Sequence, residues 1–194
     1  MSRAGTFTFT TAVNYPRGEI DGWELEARQE LGTFANALTG LAVGGNITWM
    51  DGSVRLPQEE ISRFVQAYGE APLRTTRDLV GAPDWIYNVF TTYSVPLLGT
   101  QLGVFYTRQG DTLVSGASVI PFVPATYRTE FDTLNFSLMQ PLGEHVSLTF
   151  AAKNLTDAEQ REVYRSDYVG GDVLRRLSTD GVEYSLSLGG VVKF

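Results

Sequence analysis

The chain has 194 residues, 43% of them apolar, and its 22 acidic against 15 basic side chains give a net charge of -7. That apolar share is too high for a disordered chain, and one ordered domain over residues 1–194 is expected. The acidic balance excludes nucleic acid as a partner, and the absence of cysteine excludes disulfides, zinc thiolates and thiol nucleophiles.

No apolar run is long enough for a membrane-crossing helix, and the mean hydropathy is -0.08. A β-barrel gives such a value, because alternation along its strands averages apolar against polar side chains. The opening residues, Met1-Ser2-Arg3-Ala4-Gly5-Thr6, lead straight into alternation with no apolar core of signal-peptide length, so no export signal is expected there.

Alternation then recurs in segments of the length a tilted strand needs to cross a bilayer. Phe7 and Phe9 alternate with Thr6, Thr8 and Thr10. After a turn at Tyr15-Pro16-Arg17-Gly18, Trp23, Leu25, Ala27 and Leu31 face away from Glu24, Glu26, Arg28 and Glu30. Leu41, Val43, Gly45, Ile47 and Trp49 alternate with Ala42, Gly44, Asn46, Thr48 and Met50. A fourth segment sets Trp85, Tyr87, Val89, Tyr93 and Val95 against Asn88, Thr92 and Ser94, and a fifth sets Leu102, Val104 and Tyr106 against Gly103 and Thr107. Leu134, Phe136 and Leu138 oppose Thr133, Asn135 and Ser137, and Val146, Leu148, Phe150 and Ala152 oppose Ser147, Thr149, Ala151 and Lys153. The last segment puts Val182, Tyr184, Leu186, Leu188, Gly190, Val192 and Phe194 on one face, with Glu183, Ser185, Ser187, Gly189 and Lys193 on the other. The fold class is all-β: an antiparallel up-and-down transmembrane β-barrel segment of about eight strands.

Short links near 96–99 and 142–145 take turns with long ones at 55–82, 110–126 and 156–180. Transmembrane barrels have short periplasmic turns and long outer loops, so the C-terminus is expected at the periplasmic end. One outer loop carries a helix signal: Pro57 near a first turn with Glu59 and Glu60, then Ile61, Phe64, Val65 and Tyr68 at helical spacing, and Gly69 as a stop. Trp49, Trp85, Tyr87, Tyr106 and Tyr184 sit toward strand ends, where an amphipathic ring suits the headgroup level. Alternation alone also fits a soluble β-sandwich, whose rings would pack inward and which would need no detergent.

Four stretches occur in a telling order. They are Thr10-Thr11-Ala12-Val13-Asn14 followed by Gly22-Trp23-Glu24-Leu25-Glu26, the strand end Asn46-Ile47-Thr48-Trp49-Met50-Asp51, the strand entry Ala82-Pro83-Asp84 with Asn88 and Tyr93, and Lys153-Asn154-Leu155-Thr156-Asp157 followed by a terminal Phe194. Together they resemble the C-terminal part of the β-barrel of TonB-dependent outer-membrane receptors, a family that takes up siderophores, vitamin B12, carbohydrates and similar scarce ligands. The C-terminal octet, through Ser187, Gly189, Val192 and Phe194, resembles the signal read by the barrel-assembly machinery; Gly189-Gly190 also fits a bend between closely approaching strands. The family's signal peptide, TonB box, plug and most strands of its barrel of about 22 strands have no counterpart here. What the resemblance implies is therefore part of the wall and three outer loops of a receptor in the cell outer membrane. The implied partners are the lipid bilayer, the barrel-assembly machinery, upstream strands and plug, and a small-molecule ligand.

Nothing in the chain points to an enzyme, a cofactor or a metal. His145, the single histidine, falls in a short turn and is read as a turn residue, and no nucleophile elbow, phosphate loop or dinucleotide fingerprint occurs. Gly170-Gly171-Asp172 with Asp167 lacks the ligand spacing of an EF-hand. Glu24, Glu26, Arg28 and Glu30 share the lumen face of one strand, where they would meet a plug, line a cation path or simply be hydrated. Tyr164, Arg165, Tyr168, Arg175 and Arg176 are the candidate ligand-facing loop residues. A competing reading is a stand-alone eight-stranded structural or adhesion barrel, although a lumen lined mainly by Ser, Thr, Gly and Ala would underfill it. An open segment keeps two unpaired edges and is expected to associate outside a full barrel.

Overall fold

The structure is a computed structural model and describes residues 14–118, 122–168 and 170–190. In chain order its elements begin with β1 (Gly18–Glu30), β2 (Leu41–Arg55), α1 (Gln58–Tyr68), β3 (Thr76–Asp78), β4 (Trp85–Ser94) and β5 (Gln101–Gln109). There follow β6 (Thr112–Ser115), β7 (Ala125–Arg128), β8 (Phe131–Pro141), β9 (Val146–Lys153), β10 (Glu159–Arg165), β11 (Val173–Thr179) and β12 (Glu183–Gly190). The wall is one antiparallel sheet in the order β1-β2-β4-β5-β8-β9-β12 with β3 added to β2, and a second sheet has the order β11-β10-β7-β6. Among the described residues the wall stays open, with β1 and β12 at its two ends. That is the partial-barrel form of the expected all-β fold rather than a closed small barrel.

Register divides the wall into two faces. Glu26 lies opposite Asn46, Asn46 opposite Asn88, Asn88 opposite Thr107, and Thr107 opposite Thr133, so polar side chains run across five strands on one face. Leu25, Ile47 and Tyr87 are in register on the other, as are Trp23, Trp49 and Trp85. The tryptophan row forms part of a girdle, with Trp23 and Trp49 stacked at 6.1 Å. The apolar face is uncovered: Leu186 and Leu188 are each 70% exposed and Leu25 63%. Buried apolar residues are few and small on the wall, Ala42 and Ala152; the one large side chain fully enclosed, Leu113, belongs to the second sheet. A soluble sandwich puts its second sheet over the apolar face; here that face remains open, which removes the sandwich reading.

The links alternate as expected. Residues 31–40, 95–100 and 142–145 turn the chain at one end of the wall, and residues 56–84, 110–130 and 154–182 connect strands at the other. Gly190 lies opposite Val146, which brings the end of β12 to the short-link end. The helix is where the spacing put it: Glu59 and Glu60 fill its first turn, Pro57 caps it, and Gly69, at φ 78°, donates its N–H to the Val65 carbonyl and stops it.

Three details differ from the alternation pattern. β1 ends at Glu30, and Leu31 turns into a short 3-10 segment, Leu31–Thr33, because the chain must reverse there. β2 continues past Met50 to Arg55 and stands above its neighbours, where Ser53, Val54 and Arg55 pair with β3. The long links hold four strands, β6, β7, β10 and β11, that alternation does not reveal. The strand expected around Phe7 and Phe9, the Thr10–Val13 part of the first stretch, and Val192 and Phe194 lie outside the described residues.

Candidate functional site

Above the wall, the long links enclose a cavity of about 300 Å³ between α1, the segment leading into β3, the β6–β7 pair and residues 165–168. Its walls are aromatic and aliphatic, with Phe64, Phe122, Tyr127, Tyr168, Leu56 and Ile61, and charged groups of both signs converge on it: Arg74, Arg77, Arg165, Glu60, Asp78 and Asp167. Such a mixture suits a ligand with apolar faces and oriented polar groups. The helix supplies Phe64, which stacks on Tyr168 at 5.7 Å, and Tyr68 meets Phe122 edge-on at 5.9 Å. The Tyr168 hydroxyl accepts the Leu73 N–H at 3.1 Å, tying the loop after α1 to the loop after β10.

Arg77 is the least satisfied cation of the cavity. Its guanidinium lies 4.4 Å above the Tyr15 ring, hydrogen-bonds the Tyr15 hydroxyl and sits 3.8 Å from the Glu60 carboxylate, while its Nε is buried without a partner. Tyr15 also donates to Glu60 at 3.2 Å, and burial pushes its phenol above the usual tyrosine value against the opposing pull of Arg77.

A second, acidic cavity of about 330 Å³ adjoins the first, lined by Asp84, Asp111, Glu130 and Trp85. Asp78, Leu113, Tyr127 and Arg165 line both, so they form the partition. Tyr127 donates to Asp78 at 2.7 Å, and burial followed by that bond raises its phenol pKa. Arg165 makes a two-pronged contact with Asp172, at 2.9 and 2.7 Å, reaches Asp111 at 2.7 Å and lies 4.5 Å above the Tyr127 ring. The hydrogen bond to Asp172 is the main cause holding Arg165 protonated, and it holds the Asp172 carboxyl below its usual range.

Asp84 is raised instead, first by burial and then by Asp78, Asp111 and Asp51. A carboxyl raised on folding stabilises fully below its ordinary pKa and loses that contribution as pH rises through the folded value. Asp84→Asn is therefore expected to be more stable than the parent at pH 7, with the difference closing on acidification below the ordinary carboxylate range. Urea unfolding at both pH values checks this, and a less stable variant at pH 7 would contradict it.

Of the candidate ligand-facing residues, Arg165 and Tyr168 line the cavity; Tyr164, Arg175 and Arg176 lie on the β10–β11 hairpin away from it. Arg175 is engaged there by Glu162 at 2.6 Å and Tyr164 at 3.3 Å. Arg77, Phe64, Phe122 and Tyr127 were not singled out by the sequence, although Phe64 was read as a helix residue. The one available signal was the crowding of arginine and aromatic residues in the long links. Asp167 and Asp172, weighed as a calcium loop, face Arg74 at 3.5 Å and Arg165. His145 is exposed in the 142–145 link, as read.

The Lys153–Asp157 stretch is a joint between the wall and the links above it. Asn154, at φ 54°, donates from Nδ2 to the Gly181 carbonyl at 3.0 Å and accepts the Ala158 N–H on Oδ1 at 2.9 Å, while its own N–H goes to Asn135 at 3.0 Å. Leu155 bonds to Leu134 and Thr156 to Asp132, both on β8, and Asp157 accepts from Thr179 at the end of β11. On the polar face of the wall, Glu24 accepts from Asn46 at 2.9 Å, Asn46 from Asn88 at 2.7 Å and Asn88 from Thr107 at 2.8 Å, in a ladder across four strands. Ser187 and Gly189 lie on that same face, opposite Thr149 and Ser147.

An open antiparallel wall with one apolar face, one polar face and a recognition-type cavity in its long links defines a receptor-type outer-membrane β-barrel. The family model for the TonB dependent receptor-like β-barrel matches residues 2–155, and the chain belongs to that family. No curated protein and no solved structure matches the chain.

Proposed function

We propose that this chain forms wall and outer loops of an outer-membrane TonB-dependent receptor and takes part in uptake of a scarce ligand such as a siderophore, vitamin or carbohydrate. In this reading the apolar face meets lipid and the polar ladder meets the lumen, where upstream strands and a plug complete the receptor. Ser187, Gly189, Val192 and Phe194 would be read by the barrel-assembly machinery during insertion. The observation that carries the reading is the cavity built by three long links at one end of a wall whose apolar face is uncovered. Its lining arginines and carboxylates balance, and aromatic rings flank them, so ligand contact would combine stacking with a few directed hydrogen bonds.

The test titrates detergent-solubilised chain with a neutral oligosaccharide, a corrinoid and a ferric siderophore, following the fluorescence of Trp85 beside the partition. One class is expected to bind, and Phe64→Ala or Arg77→Ala is expected to weaken it by about 10- to 100-fold, the effect of removing a recognition hot spot. Binding by both variants equal to the parent would remove the cavity as the site.

A further inference from the structure

We propose that the short-link rim of the wall is a lipid-anchoring surface, its apolar turn tips sunk into the periplasmic leaflet. The inference rests on the outer-membrane reading above. Every short link among the described residues ends in exposed apolar side chains: Phe34 at 74% and Leu38 between β1 and β2, Leu97 at 105% and Leu98 between β4 and β5, and Leu142 between β8 and β9. Residues 31–40 and 95–100 contain no ionisable side chain at all, whereas the long links are crowded with them. Turn tips in water ordinarily favour Asn, Asp, Gly and Ser, so two uncharged tips with a Phe and two Leu need a different solvent.

Leu97 makes the point sharpest. It is a non-glycine residue held at φ 70°, a backbone conformation that disfavours a side chain, and the result is a leucine projecting wholly out of the fold. The backbone around these tips is satisfied from within, as a low-dielectric setting requires. Thr33 and Thr39 hydroxyls bond the Glu30 and Asn36 carbonyls at 2.7 Å each, Ser94 N–H bonds the Gly40 carbonyl, Val95 N–H bonds the Thr100 carbonyl, and Thr100 bonds Gln140 at 2.5 Å.

The belt's length points to lipid rather than protein. From the tryptophan row to Tyr93, the last outward residue of β4, is eight residues, which is about 26 Å along a strand. A tilt of about 40° reduces this to a height of about 20 Å, short of the apolar band of about 25 Å that outer-membrane barrels present. The leucines beyond Tyr93 lie on the continuation of that belt and supply the missing depth.

Because the chain has no cysteine, single nitroxide labels report depth directly. Leu97→Cys, Leu98→Cys and Phe34→Cys are reconstituted in vesicles of phosphatidylethanolamine and phosphatidylglycerol, with Leu25→Cys as the belt control and Asp180→Cys as the long-link control. Collision with dissolved oxygen is expected to exceed collision with a water-soluble nickel chelate several-fold at the three tips, as at Leu25, and the order to reverse at Asp180. Tips that favour nickel while Leu25 favours oxygen overturn the anchoring surface and leave the membrane reading standing. Tips shielded from both reagents mean a protein contact covers the rim, which also overturns it. Nickel access at Leu25 itself removes the membrane reading, and the anchor with it.

Discussion

Replacing Asn154 by alanine is expected to lower stability by about 3 kcal/mol, from two lost side-chain hydrogen bonds at about 1 kcal/mol each and about 1 kcal/mol for an alanine in the left-handed region. The two bonds run in opposite directions, one donated to Gly181 and one accepted from Ala158, so the side chain clamps the exit of β9 to the entry of β12. Substitutions separate the contributions. Asn154→Asp keeps the acceptor and loses the donor, Asn154→Gly relieves φ but loses both bonds, and Asn154→Ala loses everything. The expected order of stability is parent, then Asp, then Gly, then Ala, measured by denaturant unfolding in detergent with tryptophan fluorescence as the signal. An alanine variant equal to the glycine one would show that the backbone conformation carries no penalty.

That role explains why the stretch is readable in sequence without being a ligand site. Lys153 is on the wall, its Nζ 3.2 Å from Glu183 across the β9–β12 pair, and the next four residues leave the sheet through two left-handed positions, Asn154 and Asp157. Few residue types tolerate φ above zero and can also cap their neighbours, and Asn and Asp do both. Motif and geometry are thus the same fact. The wall strands were legible for a similar reason: each has one face in water-like and one in oil-like surroundings, so the pattern is forced at every second residue.

The second sheet was not legible because no such force acts on it. β10, Glu159-Gln160-Arg161-Glu162-Val163-Tyr164-Arg165, carries charges on both faces, and β6 and β7 have only four residues each. These strands are held by cross-strand charge pairs and by the burial of Leu113 and Val163, which depend on partners distant in sequence. The cavity inherits that difficulty. Arg77, Tyr127 and Phe64 come from three links, and only the fold brings them together. The hairpin arginines, by contrast, look like recognition residues in sequence and turn out to serve the hairpin: Arg175 answers a carboxylate, and Arg165 holds a partition.

Glu162 is the residue on which that sheet most depends, and Glu162→Ala is expected to cost about 2 to 3 kcal/mol. The side chain is 8% exposed as a residue, accepts from Arg175 at 2.6 Å and lies 3.9 Å from Arg128, which is opposite it on β7. A register shift between Glu162 and Val163 lets Arg175 reach it although Arg176 is the paired residue. Breaking a buried pair by removing one partner costs about 3 to 5 kcal/mol, and the half-exposed arginines reduce that through solvent screening. The larger part of the loss comes from Arg128, whose Nε is already buried without a partner and which would keep its charge with no carboxylate facing it. The double variant Glu162→Leu with Arg128→Met is therefore expected to recover most of the stability lost by Glu162→Ala, since an apolar replacement of both partners leaves no orphaned charge. Denaturant unfolding in detergent supplies the cycle, with proteolysis of residues 166–172 as a local readout. If the double variant is as unstable as the single one, the carboxylate is needed for more than balancing Arg128, and the contact with Arg175 becomes the one that holds the outer hairpin.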